Sequence, residues 1–336
     1  MNEFKNMSNN SFSLINCKKE SLFKIVLFLK EMGDENLIRL PASLKFLKWK
    51  YQYDKKLKSL YRMRMIKLGK ALAGIHGYMP LKLYTRLGPL DSVWGVDILI
   101  KNKYRQFPLL LSSVYLTERV MRHKYNIFNI LTFVRTKEMF ESFLAMGFLR
   151  VNFYSLELRG LSNNLFQYAS SADIKQINYF DTRFNTFFRK ISGDFDFIPE
   201  RKSPYLNWRY FQHPFYRYKV FAAFEKNEVR GYIVIRIEQD IKEAYILDLL
   251  AVSQKPRIAY FLLLEALNYF KKMKIKKVKA GFSNKDHLKI FKKMGFSVLN
   301  NEYCVFLCED KALRDYFQKH TKWHIAMGDG DFRGFK

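Results

Sequence analysis

Apolar residues recur along this chain at two periods, and the order in which the periods alternate predicts a layered α/β molecule. Over residues 21–32 they return every third or fourth position behind Ser21, which predicts a capped helix; Leu44, Leu47 and Trp49 predict a second. Residues 61–68 and 70–78 alternate apolar with polar about Gly69, the pattern of a hairpin. Residues 93–100 form an apolar run holding one acid, Asp97, and predict a buried strand. Strands over 12–17, 125–134 and 148–158 and helices over 106–123 and 137–146 complete a first half. The polar, aperiodic stretch 160–171 reads as a linker. The second half predicts helices within 177–191 and over 204–211, then strands 218–224, 229–237 and 244–252. Helix 256–273, strand 277–282, helix 285–294, strand 296–307 and helix 311–319 follow, with no opening strand evident.

The two halves repeat one another in their words as well as their order. Trp49-Lys50-Tyr51 follows Ser43, and Trp208-Arg209-Tyr210 follows Ser203. Gly74 and Gly231 each sit in an alternating basic and apolar stretch, and Asp97 and Asp248 each interrupt an apolar run. Phe143 precedes Gly147-Phe148 as Phe291 precedes Gly295-Phe296. The offset between copies shrinks smoothly along the chain, as a duplication with short deletions leaves it. The fold class expected is therefore α/β (α+β), with two similar domains, each a mixed central sheet flanked by helices. The expected boundaries are 1–160, a linker at 161–171, 172–310, and a final helix and tail at 311–336. A length of 336 residues suits two domains with their own cores.

Composition narrows the partners. A net charge of +28, from 59 Lys and Arg against 31 Asp and Glu, fits anionic ligands: CoA, nucleotide sugars, phospholipid head groups or tRNA. The basic residues are spread over both halves without an arginine-rich tail, so a generally basic surface is the first reading and a nucleic-acid partner is not favoured. Lys271, Lys272, Lys274, Lys276 and Lys277 read as the solvated end of a helix running into a strand. Cys17, Cys304 and Cys308 make neither a disulfide framework nor metal spacing, and a reducing, cytoplasmic setting is expected. The first apolar run, 22–29, is short and holds Lys24, which supports neither a signal peptide nor a spanning helix; peripheral membrane contact stays open.

The element order, with Gly-Phe opening each last strand and Asn284 opening a helix, resembles the GCN5-related N-acetyltransferase superfamily in tandem form. Tyr205 to Tyr210, His213-Pro214, Trp323 and Gly328-Asp329-Gly330-Asp331 are similar to two-domain acetyltransferase-like proteins of bacterial polysaccharide loci. The resemblance implies an N-acyltransferase using acetyl-CoA or another acyl-CoA, without a metal, on an amine-bearing sugar. It places the donor in the first half, at Ile100, Arg105, Gln106, Phe107, Leu109 and Leu110, where backbone N–H groups and a helix start would hold the pyrophosphate. Pro108 and Leu110 stand where the superfamily has small residues, and the second half offers Lys255-Pro256-Arg257 without a glycine. Asp97 and Asp248 fall where relatives carry a catalytic base. A carboxylate in an apolar strand must be paired or functional, so an Asp held by an arginine is the alternative. Phe143 and Phe291 stand where relatives often have a proton-donating Tyr. Trp208, Arg209, Tyr210 and His213 are the expected acceptor contacts, with the acceptor between the halves; Tyr205, Trp208 and Phe211 fall at helical spacing and most simply pack on the sheet. Asp329 and Asp331 resemble a calcium loop only superficially, and His76, His123 and His287 have no partner spacing. Two further readings stand beside the enzyme: a non-catalytic binding or scaffold protein, and an aminoacyl-tRNA-dependent transferase of the peptidoglycan-bridge type.

Overall fold

The computed structural model describes residues 12–16, 22–34, 43–51, 63–104, 129–134, 136–161, 173–253, 255–299 and 303–330. They divide into two compact units, one within Met1–Leu81 and Asp91–Thr132, the other within Lys82–Leu90 and Phe133–Phe332.

The first unit holds β1 (Phe12–Asn16), α1 (Leu22–Asp34), α2 (Leu44–Tyr51), β2 (Met63–Leu68) and most of β3 (Ala71–Thr85), β4 (Gly88–Ile100) and β5 (Asn129–Val134). The strands lie in chain order; β1–β2 and β2–β3 pair antiparallel, while β4 and β5 pair parallel. Successive strand residues point to opposite faces. Met63 and Met65 accordingly pack under α1 and α2 with Ile25, Phe28, Leu29 and Leu47, whereas Ile66, Ala73 and Ile100 cluster separately.

The second unit contains α3 (Lys137–Ala145), β6 (Leu149–Val151), β7 (Tyr154–Arg159), β8 (Asp173–Ile177), α4 (Thr182–Ile191) and β9 (Phe197–Pro199). Next come α5 (Ser203–Leu206) with a π-helical turn (Asn207–Phe211), β10 (Tyr218–Glu225), β11 (Glu228–Glu238) and β12 (Glu243–Ala251). The unit ends with α6 (Pro256–Lys272), β13 (Lys277–Phe282), α7 (Lys285–Lys293), β14 (Ser297–Leu299), β15 (Tyr303–Cys308) and α8 (Lys311–Lys319). Its seven-stranded sheet runs β14-β7-β13-β12-β11-β10-β8, with β12 and β13 parallel and the other neighbours antiparallel. Alternation along β11 sends Ile233 and Ile235 into the core under α6, and turns Tyr232 toward Phe180, Phe184 and Phe187 at α4. Helices thus cover both faces.

The duplication is physical. Gly147 and Gly295 end α3 and α7 with φ of 92° and 89°, a left-handed step that glycine takes without a Cβ clash. Behind them, Phe143–Phe148 and Phe291–Phe296 meet edge to face, both with centroids 4.8 Å apart. Gly74 and Gly231 lie where a neighbouring strand's carbonyl comes close, Leu99 O in one repeat and Leu250 O in the other; a Cβ on Gly231 would sit 2.8 Å from that oxygen.

The structure differs from the sequence reading at several elements, among them β9, which was not expected. The second repeat's opening strand is β8, missed because it is an edge strand exposing Asp173, Lys175 and Gln176 and so lacks an apolar alternation. Each closing strand is two strands, β6 and β7 in the first repeat, β14 and β15 in the second. Their pairing is exchanged: β7 joins β13 and β14, while β15 pairs with β6. The helix expected over 204–211 is a single α-turn followed by the π turn. The expected helix over 106–123 lies outside the described residues. Cys304 and Cys308 are buried. No described helix is long and apolar enough to cross a membrane.

Candidate functional site

Each repeat carries its acid on a central strand, and each acid is built into a different setting. In the first unit Asp97 has a left-handed φ of 50°, a backbone state rare for a residue with a Cβ. Its side chain faces α2, where Lys50 Nζ stands 2.7 Å from Oδ2 and the Tyr51 hydroxyl makes a short hydrogen bond to the same oxygen. Lys50 is 1% exposed, with its ammonium over the rings of Phe46 and Tyr51. Gly77 leaves room for the Tyr51 ring, which a Cβ there would strike. Nearby on β3, burial and then the Arg64 cation push His76 down to about 3, so it is neutral.

In the second unit Asp248 has no exposed surface. Arg201 Nε donates to Oδ2 at 2.8 Å, the Tyr232 hydroxyl donates to the same oxygen at 2.9 Å, and His324 Nε2 lies 3.3 Å from Oδ1. Burial pushes this carboxyl up, but Arg201, His324 and Tyr232 outweigh it and hold it at about 2. The other side of the Arg201 fork reaches Asp329 Oδ2 at 2.6 Å, and its Nη1 donates to Pro199 O. His324 stacks edge to face on His287, which burial and then His324 push down to about 3 against the pull of Asp248.

The Asp329 end of this network belongs to a strap, residues 322–330, that lies between β12 and β13. Those two strands pair from Glu243–Lys277 to Ile246–Ala280. Past that point the strap bridges them. Met327 N donates to Gly281 O on β13, Gly328 N donates to Leu247 O at 2.7 Å on β12, and Ser283 N donates to Ile325 O. Residues 323–330 are all buried. Arg209 fastens the far end, donating from Nε to Gly328 O at 2.8 Å and from Nη2 to Gly330 O.

The expected site residues fall as follows. Trp208, Arg209, Tyr210 and His213 are buried in the second unit: Trp208 packs on Tyr205, Tyr210 on Tyr218, and His213 Nδ1 accepts from Phe215 N and Tyr216 N. Ile100 lies in the cluster with Ile66 and Ala73, on the opposite face of β4 from Asp97. Arg105, Gln106, Phe107, Leu109, Leu110, His123 and Asp331 lie outside the described residues. Phe143 and Phe291 are core residues. Among the described residues no cluster of His, Cys, Asp and Glu could hold a metal ion. Sequence reasoning missed Lys50, Tyr51, Arg201, Tyr232 and His324. The first two had a signal, since they share the repeated Trp-cation-Tyr motif with Arg209 and Tyr210.

Solved structures with the same architecture are acyltransferases by description. A GCN5-related N-acetyltransferase from Anabaena variabilis ATCC 29413 superposes with a TM-score of 0.66 at 12% identity, over 88% of this chain and 72% of that one. Saccharomyces cerevisiae N-myristoyltransferase, solved with bound myristoyl-CoA and inhibitors, gives 0.59 at 13% identity, over 89% of this chain and 80% of that one. No protein-family model and no curated protein matches the chain. At these identities the likeness concerns architecture, and the chain has the GCN5-related N-acetyltransferase fold.

Proposed function

We propose that the chain is an acyl-CoA-dependent N-acyltransferase whose donor lies along β4 of the first repeat. The observation that carries this reading is the strap. Strands that part leave backbone N–H and C=O groups in need of partners, and in the second repeat residues 325–328 meet that need between β12 and β13. The pantetheine arm of CoA, with two amides, can pair with a strand edge as a peptide does. In the first repeat β4 pairs with β5 over Val93–Gly95 and continues through Asp97 to Ile100, and this stretch is the donor's place. Arg105 and the backbone of residues 106–110 take the phosphates.

The acceptor amine attacks the thioester carbonyl as its free base. A C–N bond forms, the C–S bond breaks, and the CoA sulfur leaves with the electron pair and takes the second proton, which the nitrogen loses as it becomes an amide. The proton shed by the ammonium passes through the Tyr51 hydroxyl to Asp97, which Lys50 holds in place. Asp248, enclosed and bonded on both oxygens, is assigned to anchoring the strap rather than to proton transfer, and Arg209 shares that task. The acceptor we propose is an amino sugar; the charge of +28 favours one carrying phosphate, as nucleotide-linked sugars do.

Calorimetric titration of acetyl-CoA and longer acyl-CoAs tests this. Arg105→Ala lowers donor affinity by about 10–100-fold, the worth of a hydrogen bond to a charged group. Asp97→Asn leaves donor binding intact and lowers kcat/KM by about 10²–10⁴-fold. Buried phenylalanines at positions 143 and 291 favour a second reading, a non-catalytic binding protein. Failure of the wild type to bind any acyl-CoA while binding a sugar would establish that reading instead.

A further inference from the structure

One end of the second unit gathers lysines around an aliphatic tip. The turn between β11 and β12, Gln239–Ile241, carries Ile241 at 58% exposure. Hydrogen bonds fix it against the loop that follows α6: Gln239 Nε2 donates to Met273 O at 3.4 Å, and Lys276 N donates to Lys242 O at 2.9 Å. That loop and the last turn of α6 expose Lys271, Lys272, Lys274 and Lys276. Lys271 and Lys272 answer the dipole of α6, but Lys274 and Lys276 lie beyond the helix. Most acids at this end are committed. Glu243 holds Lys277 and Lys279, Glu238 holds Arg236, and Glu157 holds Arg159. Asp240 is the exposed acid beside the tip.

We propose that this end docks on an anionic lipid bilayer, the lysines facing the headgroup phosphates and Ile241 seated among the headgroups. Lysines are compact charges suited to a diffuse anionic surface, and an aliphatic tip gains from entering the acyl boundary. A nucleic acid fits this end less well. The arginines here, Arg159 and Arg236, are already ion-paired, and an isoleucine at the apex finds nothing to bury against along a phosphate backbone. The proposal is independent of the acyl-transfer reading.

Cosedimentation of the full-length protein with vesicles of phosphatidylcholine alone, or of phosphatidylcholine with phosphatidylglycerol, tests it at physiological salt. The protein pellets with the anionic vesicles and not with the neutral ones. Lys272→Gln and Lys276→Gln each weaken binding about fivefold, the loss expected for one surface lysine. Ile241→Ser also weakens it about fivefold and makes the remainder more salt-sensitive. Equal binding to both vesicle types, or variants that bind as the wild type does, overturns the proposal. So does displacement of the vesicles by an RNA duplex that binds more tightly through the same lysines, which would assign the surface to nucleic acid.

Discussion

Asp248→Asn lowers the melting temperature by about 6–20 °C. The figure follows from the cost of breaking a buried ion pair from one side, about 3–5 kcal/mol, and from the sensitivity of a unit this large, about 2–4 °C per kcal/mol. Arg201 is fully buried and stays charged; burial works against its proton, but Asp248 and Asp329 outweigh this and raise its pKa well above the ordinary value. With an amide at position 248 the guanidinium keeps Asp329 and loses the carboxylate at its Nε. The amide oxygen can still accept from Arg201 and Tyr232, but it brings no charge to balance the buried guanidinium. Asp97→Asn carries a cost of the same order, because the Lys50 ammonium that faces it is also without exposed surface. Thermal melts followed by circular dichroism at neutral pH check this, and a melting temperature unchanged for Asp248→Asn would remove the anchor role.

Mild acid destabilises both units through two neutral histidines, His76 in the first and His287 in the second. Each has its folded pKa brought from 6.5 to about 3, by burial first. An unfolded chain takes up a proton below about pH 6.5 while the folded one does not, so stability falls steadily as pH drops from there to about 3. The slope is about 1.4 kcal/mol per pH unit for each histidine, or about 2 kcal/mol lost from each unit at pH 5. Asp248 adds to the loss only in stronger acid. Its folded pKa is depressed from 3.8 to about 2, so its contribution is whole above pH 4 and fades as the pH approaches 2. Urea midpoints at pH 7 and pH 5 measure the effect; His76→Gln and His287→Gln each flatten the pH dependence of one unit. Equal midpoints at the two pH values for the wild type would contradict the neutral, buried state of these rings.

Local period carried much of this fold into the sequence. The apolar spacing of α1, α6 and α7 and the alternation of β10 and β11 are interactions among near neighbours, and the repeated Gly-Phe pairs mark equal helix ends. The acids at 97 and 248 were also legible, since a carboxylate in an apolar run needs a partner. A signal for the partner existed only for Asp97, in the repeated Trp-cation-Tyr motif, although the pairing itself was not read from it. Arg201 lies outside that repeat, so nothing local marks it as the partner of Asp248. The strap was hidden for the same reason. Its run Trp323-His324-Ile325-Ala326-Met327 is apolar without a turn or strand neighbour to explain it, because its partners are Gly281, Ser283 and Leu247. Tyr205 and Trp208 show the converse: their helical spacing suited packing, and their buried rings lie against one another.

The strap also bears on how the chain is made. A ribosome releases this sequence in order, so β12 and β13 emerge well before residues 322–330 that lie between them. Until those residues arrive, Arg201 lacks Asp329 and Asp248 lacks His324, and the edges of two central strands stay open to other partners. The second unit therefore reaches its final state after most of its strands are already in place, when late-arriving backbone closes a waiting gap. A nascent chain stalled short of residue 322 is the species a chaperone would meet, and a strand edge left open is the feature it would shield.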